Sequence, residues 1–194
     1  MKTFFVDVDN QLDFLYPAGS LYVPGAELLL PAFTRLTQFA KSHQVQILST
    51  ADAHSEDDAE FKTWKPHCVA GTNGQQKATA TLLGSSLQVI PSTPGAPTPS
   101  DAAQIVIEKQ HTDCFTNPNL EPLLTKIAAD RYVVYGVVTE ICVSHALFGL
   151  LKTGSRVELV TDAVRHLNED SCNQMIKRFK AAGGALTAVS AIVS

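Results

Sequence analysis

The chain lacks any run of about 18 apolar residues, the length a membrane-spanning helix needs, so no membrane partner is expected. It lacks a basic start leading to a small-residue cleavage site. Thr3-Phe-Phe-Val-Asp-Val8 reads as a strand instead of a secretory leader, which makes the cytosol the expected location. Positive charge is scarce: 15 Lys and Arg against 19 Asp and Glu give a net charge of −4, which argues against binding a nucleic-acid backbone. The four cysteines, at 68, 114, 142 and 172, have no framework spacing and read as free thiols. No internal repeat is visible. What is present, 194 residues with 45% hydrophobic and 18% charged content, fits one globular domain, 1–194, with a sizeable core.

Along this domain apolar strands alternate with amphipathic helices. Strands are predicted at Phe4–Val8, Gln44–Thr50, Gln104–Glu108, Tyr132–Val137, Val157–Val160 and Leu186–Val189. Helices are predicted at Ala26–Ser42, Asn119–Asp130, Glu140–Thr153 and Glu169–Ala182. In the first of these, Leu29, Phe33, Leu36, Phe39 and Ala40 share one face. A long polar loop runs from the second strand through Gly74, and a Pro-rich surface loop spans 91–100. The alternation implies a three-layer αβα sandwich with a mostly parallel, Rossmann-like sheet. Such folds bind ligands beyond the carboxyl ends of their strands.

That rim is chemically rich. Asp9 follows the first strand, Asp52-Ala-His54 the second and Lys109 the third. The fourth leads through Gly136-Val-Val-Thr-Glu-Ile-Cys142-Val to a cysteine where a strand hands over to a helix. Unpaired N–H groups at a helix start favour a thiolate and a developing oxyanion, so Cys142 is a candidate nucleophile. Asp7, inside the first strand, needs a buried partner or an exposed edge. Asp52 and His54 can converge on one ion, and His67 follows thirteen residues later. That donor set suits Zn²⁺, Fe²⁺ or Mn²⁺. Glu56, Asp57, Asp58 and Glu60 crowd the same loop as a solvated acidic surface, from which one could complete a coordination shell.

Two resemblances compete. Phe5-Val-Asp7-Val-Asp9-Asn10 is similar to the Asp-x-Asp start of haloacid-dehalogenase-type phosphatases, but Gln11 stands where a Thr or Val is expected. Asp162 supplies only one of that family's late paired acids. The second resemblance covers nearly the whole chain. Asp9-Asn-Gln11-Leu-Asp13-Phe14, Pro17-Ala-Gly-Ser-Leu21 with Pro24-Gly25, and Asp52-Ala-His54 come first. Trp64-Lys-Pro-His67-Cys68-Val-Ala-Gly71-Thr72, Lys109 with Phe115, and the Gly136–Val143 segment follow in order. Together they resemble the isochorismatase-like cysteine hydrolases, and within them the nicotinamidases. The departures are Lys65 for a proline, Glu140 for an aspartate, and Glu60 where some nicotinamidases carry a histidine.

The resemblance implies a catalytic set of Asp9, Lys109 and Cys142, with Cys142 attacking a small amide. It implies an oxyanion held by the backbone N–H groups of Val138 and Cys142, with a cis peptide between Val137 and Val138. Lys109 would favour the thiolate, and Asp9 would move the proton. Phe14 and Trp64 would wall a flat ring. One divalent metal, zinc foremost, would bind Asp52, His54 and His67, with Glu60 a candidate fourth ligand. The implied partner is a small-molecule amide, and a homo-oligomer stays open. Without the metal, the same triad would suit isochorismatase or carbamoyl-amide hydrolases.

Overall fold

The computed structural model describes residues 1–84, 86–96 and 101–194. Seven strands form its centre: β1 (Thr3–Val8), β2 (Gln46–Asp52), β3 (Leu87–Ile90), β4 (Gln104–Lys109), β5 (Arg131–Val137), β6 (Arg156–Arg165) and β7 (Ala185–Thr187). They lie in the order β3-β4-β2-β1-β5-β6-β7, and every pairing is parallel. A parallel sheet must be covered on both faces, and the side-chain alternation of β1 serves both. Phe4, Val6 and Val8 enter one core with residues of α3 (Leu120–Ile127), α4 (Ser144–Leu151) and α5 (Glu169–Ala181). Phe5 enters the other, with residues of α1 (Leu12–Leu15), α2 (Leu30–Ser42) and α6 (Val189–Ile192). The expected αβα sandwich is therefore present.

The helices follow their sequence signals. Within α2, Phe33, Leu36 and Ala40 are buried, while Phe39 is half-buried and stacks on His43. The Asn168 side chain accepts from Ser171 N at 2.8 Å and caps α5. Glu169 and Asp170 occupy its first turn and Arg178 and Lys180 its last, complementing the helix dipole.

Four differences from expectation have local causes. Strand β3 and helix α1 are four residues each, too short for periodicity to reveal. Strand β6 runs on to Arg165, past the exposed polar pair Thr161 and Asp162 that interrupts its apolar pattern. Val189 is not the end of a strand: Asp162 accepts its N–H at 2.8 Å and starts α6 instead. Of the 91–100 loop, Pro91–Ala96 is tied down by Asn119, which donates to Pro91 O at 3.0 Å and Thr93 O at 2.8 Å. Residues 97–100 lie outside the described residues.

The topology fixes where ligands fit. Strand β1 is flanked by β2 on one side and β5 on the other, and the chain departs from it in opposite directions. A crevice therefore opens at the carboxyl ends of these strands. Next to it, Gly136 has φ 125°, and a Cβ there would lie 2.1 Å from the carbonyl oxygen of Val8. Only glycine allows that approach.

Candidate active site

Asp9, Lys109 and Cys142 meet at this rim. Asp9 leaves β1 with φ 51°. Its Oδ1 accepts from Thr50 Oγ1 at 2.6 Å, and its Oδ2 lies 2.9 Å from Lys109 Nζ. The same ammonium pairs closely with Asp52 and lies 3.8 Å from Cys142 Sγ. All four groups are buried. Between β5 and α4 the Val137–Val138 peptide is cis, and Thr139–Val143 makes one wide π-turn instead of the start of a single long helix. Cys142 projects from that turn.

Burial sets the protonation pattern. It pushes the Asp9 carboxyl above its ordinary value, only partly offset by Lys109. Burial alone would lower Lys109, but Asp52 and Asp9 outweigh it and hold the ammonium firmly charged. Burial would also raise Asp52. Lys109 and the neighbouring imidazoles of His54 and His67 prevail and keep that carboxylate ionised. The Cys142 thiol is pushed well up by burial, with Lys109 opposing and the Asp9 charge reinforcing the rise. Burial thus favours the thiol and Lys109 the thiolate, and the sulfur lies within hydrogen-bonding reach of Asp9.

Beside this set lies a second cluster. Ligand atoms of Asp52, His54 and His67 all fall within 4.8 Å of one another. The His54 and His67 Nε2 atoms lie 3.8 Å and 3.5 Å from Asp52 Oδ2. His67 Nδ1 bonds the Lys65 carbonyl at 2.7 Å and therefore must donate, which leaves Nε2 as a free lone pair. His54 Nδ1 faces Asp58 Oδ2 at 3.1 Å, and its buried Nε2 has no hydrogen-bond partner. A carboxylate and two inward imidazole nitrogens, one of them buried without a hydrogen-bond partner, fit a divalent metal. Burial lowers the proton affinity of His54, but Asp52 and Asp58 more than restore it. Glu60 is not part of the cluster. It lines the adjoining pocket, its carboxyl raised by burial and the Asp52 charge, 3.9 Å from His111 Nδ1.

Three polar residues brace the assembly. The Gln11 amide accepts from Asp52 N at 2.7 Å and donates to Asp52 O at 2.8 Å, locking the ends of β1 and β2 together. Asp13 accepts from Ser20 N at 2.9 Å and Cys68 N at 2.7 Å, which pins the loop carrying His67. A Cβ on Gly74 would collide with that carboxylate at 2.1 Å. The third is Asp58. Gln11 and Asp13 stand inside the quoted opening motif without an assigned role, and Asp58 was counted with the solvated acids. Its four-residue spacing from His54 is the signal that could have singled it out.

One pocket joins the two clusters. It encloses about 470 Å³, open mouth included, and is lined by Cys142 and Val138, by Asp52 and His67, and by Phe14 and Trp64. Phe14 is buried, its ring 5.3 Å from that of His67. Phe14 and Trp64 thus line the same pocket as Cys142, Asp52 and His67.

A parallel αβα sandwich with thiol, carboxylate and ammonium converging at its switch point suits a hydrolase. The isochorismatase domain model matches residues 88–191, and the chain belongs to the isochorismatase family. An uncharacterised isochorismatase family protein of Bacillus subtilis is 25% identical over 193 residues, covering 97% of this chain and 100% of its own. A nicotinamidase of Escherichia coli is 23% identical, covering 92% and 91%. Among solved structures, a pyrazinamidase of Pyrococcus horikoshii in complex with zinc superposes with a TM-score of 0.78. It is 25% identical and covers 97% of this chain and 99% of its own.

Proposed function

We propose that this protein is a metal-dependent amidase converting nicotinamide to nicotinic acid and ammonia through a thioester on Cys142. The observation that carries the reading is a pocket lined by Cys142 of the first cluster and by Asp52 and His67 of the second, with Asp9 and Lys109 in contact behind them. The similarity to a nicotinamidase and to a zinc-bound pyrazinamidase supports it.

In the first half-reaction Asp9 takes the thiol proton as the sulfur attacks the amide carbon. The carbonyl pair moves onto oxygen, where the backbone N–H groups of Val138 and Cys142 receive it. The raised affinity of Asp9 for a proton suits this task. When the oxyanion collapses, the C–N bond breaks and Asp9 delivers its proton to the departing nitrogen as ammonia. Asp9 then takes a proton from water, the hydroxide adds to the thioester, and the sulfur leaves and is reprotonated. Lys109 holds Asp9 in place and offsets negative charge throughout. A divalent metal on Asp52, His54 and His67, Zn²⁺ before Fe²⁺ or Mn²⁺ and with Glu60 a candidate further ligand, supplies a Lewis-acidic anchor for a ring nitrogen.

Among the described residues no lysine or arginine lines the pocket, which suits a neutral ring amide better than a substrate bearing carboxylates, such as isochorismate. The test compares ammonia release from nicotinamide, benzamide and picolinamide by metal-loaded protein. Nicotinamide should exceed benzamide by at least about a hundredfold, because a site built to bind a polar atom rejects the analogue lacking it. Equal rates would show that the ring nitrogen is not read. Inactivity on all three, with Cys142 still open to alkylation, would move the assignment to another substrate of the family.

A further inference from the structure

The β6–α5 connection carries an apolar side chain with no obvious structural use. Leu167 is 48% exposed, yet it lines the same pocket as Cys142. A large exposed hydrophobe at a pocket mouth gains contact when a ligand arrives. Its backbone is fixed from an unexpected direction. Glu140 Oε1 accepts from Leu167 N at 2.9 Å and from Asn168 N at 2.7 Å. Glu140 belongs to the same π-turn as Cys142, and Asn168 is the cap of α5. One carboxylate thus ties the pocket mouth to the turn that presents the thiol, at a position where the family resemblance expects the shorter aspartate.

We propose that Leu167 is a specificity-determining residue that closes the pocket over one planar ring, and that Glu140 is the positioning residue that holds it there. The substrate class follows: carboxamides of a single six-membered ring are admitted and fused bicyclic ones are turned away. The inference rests on the ring-amide reading above and refines it. Glutamate is needed for reach, since aspartate is one methylene shorter. Charge is secondary, because an amide oxygen can accept the same two N–H groups.

The test uses the metal-loaded wild type with Leu167→Ala, Glu140→Ala and Glu140→Gln. Nicotinamide and quinoline-3-carboxamide are compared as substrates. Alkylation of Cys142 is followed with small iodoacetamide and bulky N-phenylmaleimide. Leu167→Ala should raise the nicotinamide KM about tenfold, the effect of losing part of a leucine's apolar contact, with a much smaller change in kcat. The quinoline-to-nicotinamide ratio of kcat/KM should rise about tenfold or more. Glu140→Ala should change both in the same direction, and Glu140→Gln should restore wild-type values. An unchanged substrate ratio in Leu167→Ala would overturn the proposal. So would a Glu140→Gln variant indistinguishable from Glu140→Ala. If neither amide is hydrolysed, the nicotinamide reading fails and the alkylation ratio alone decides. A faster relative reaction of the bulky reagent in Leu167→Ala supports closure of the mouth, and an unchanged ratio refutes it.

Discussion

Replacing Lys109 with methionine removes one charge and leaves the volume nearly unchanged. Its ammonium is the shared partner of two buried carboxylates, 2.9 Å from Asp9 and in closer contact with Asp52. Without it, Asp9 keeps the Thr50 hydroxyl and the Cys142 thiol beside it, and two like charges face each other in a buried site. One carboxyl must then be protonated in the folded state. For a group of ordinary pKa about 3.9, enforced protonation costs about 4 kcal/mol at pH 7 and about 1.5 kcal/mol at pH 5. The pH 7 figure agrees with the about 3–5 kcal/mol expected on breaking a buried ion pair. The direction follows from proton counts. The variant's folded state binds more protons than its unfolded state above pH about 4, so its stability falls as pH rises. Urea denaturation of the metal-free wild type and Lys109→Met, followed by circular dichroism from pH 5 to 8, measures the gap at each pH. The Lys109→Met/Asp9→Asn double variant should regain most of the loss, because a neutral amide needs no proton. A gap below about 1 kcal/mol that stays flat across pH would refute the shared-cation account.

Cys142→Ala should abolish ammonia release and leave the melting temperature nearly unchanged; residual turnover at the wild-type rate would remove Cys142 as nucleophile. With metal saturating, the acid limb of kcat/KM should lie above the ordinary aspartate value, because burial raises Asp9 and activity is lost as pH falls through it. A limb at or below pH about 3.9 would contradict that assignment. Gly136→Ala should cost more than about 3 kcal/mol in a urea or thermal melt, since the new methyl meets the Val8 carbonyl at φ 125°. An alanine variant as stable as the wild type would mean the backbone yields there. Asp58→Ala should weaken zinc affinity about 10- to 100-fold in a chelator competition, by freeing the His54 ring. Unchanged affinity would show that Asp58 does not orient it.

The sequence carries the site more clearly than it carries the smaller elements. In a parallel sheet all strands point to one rim, so Asp9, Asp52, Lys109 and Cys142 could be assigned to a common edge before their distances were known. Asp7 is expected to need a buried partner or an exposed edge, and Lys77 provides the partner at 2.9 Å, from a loop whose path no periodicity foretells. Strand β3 was missed because Leu87-Gln-Val-Ile90 alternates for only four residues before a proline. The brace Asp13 is hidden because its partner Cys68 lies 55 residues away, whereas Asp58 is only four residues from His54 and is masked by the acids around it. The burial of Cys142 is hidden from the sequence for a related reason. A neighbouring cation can be inferred from a motif, whereas the depth of burial is a property of the whole assembled fold.

The dispersal of the site along the chain has a consequence for the molecule before it is folded. Lys109 is 57 residues from Asp52 and 33 from Cys142 in sequence, and all three meet only when the β1–β2–β4–β5 ladder has closed. Before that, the cysteine is an ordinary solvated thiol with neither its lysine nor its acid. Reactivity at Cys142 is therefore a gauge of native topology, and a ribosome-bound or partly unfolded chain carries none of the hydrolytic chemistry. Every group of the two clusters lies between β1 and α4. The segment after α4, residues 152–194, adds no group to either cluster and touches the pocket through Leu167.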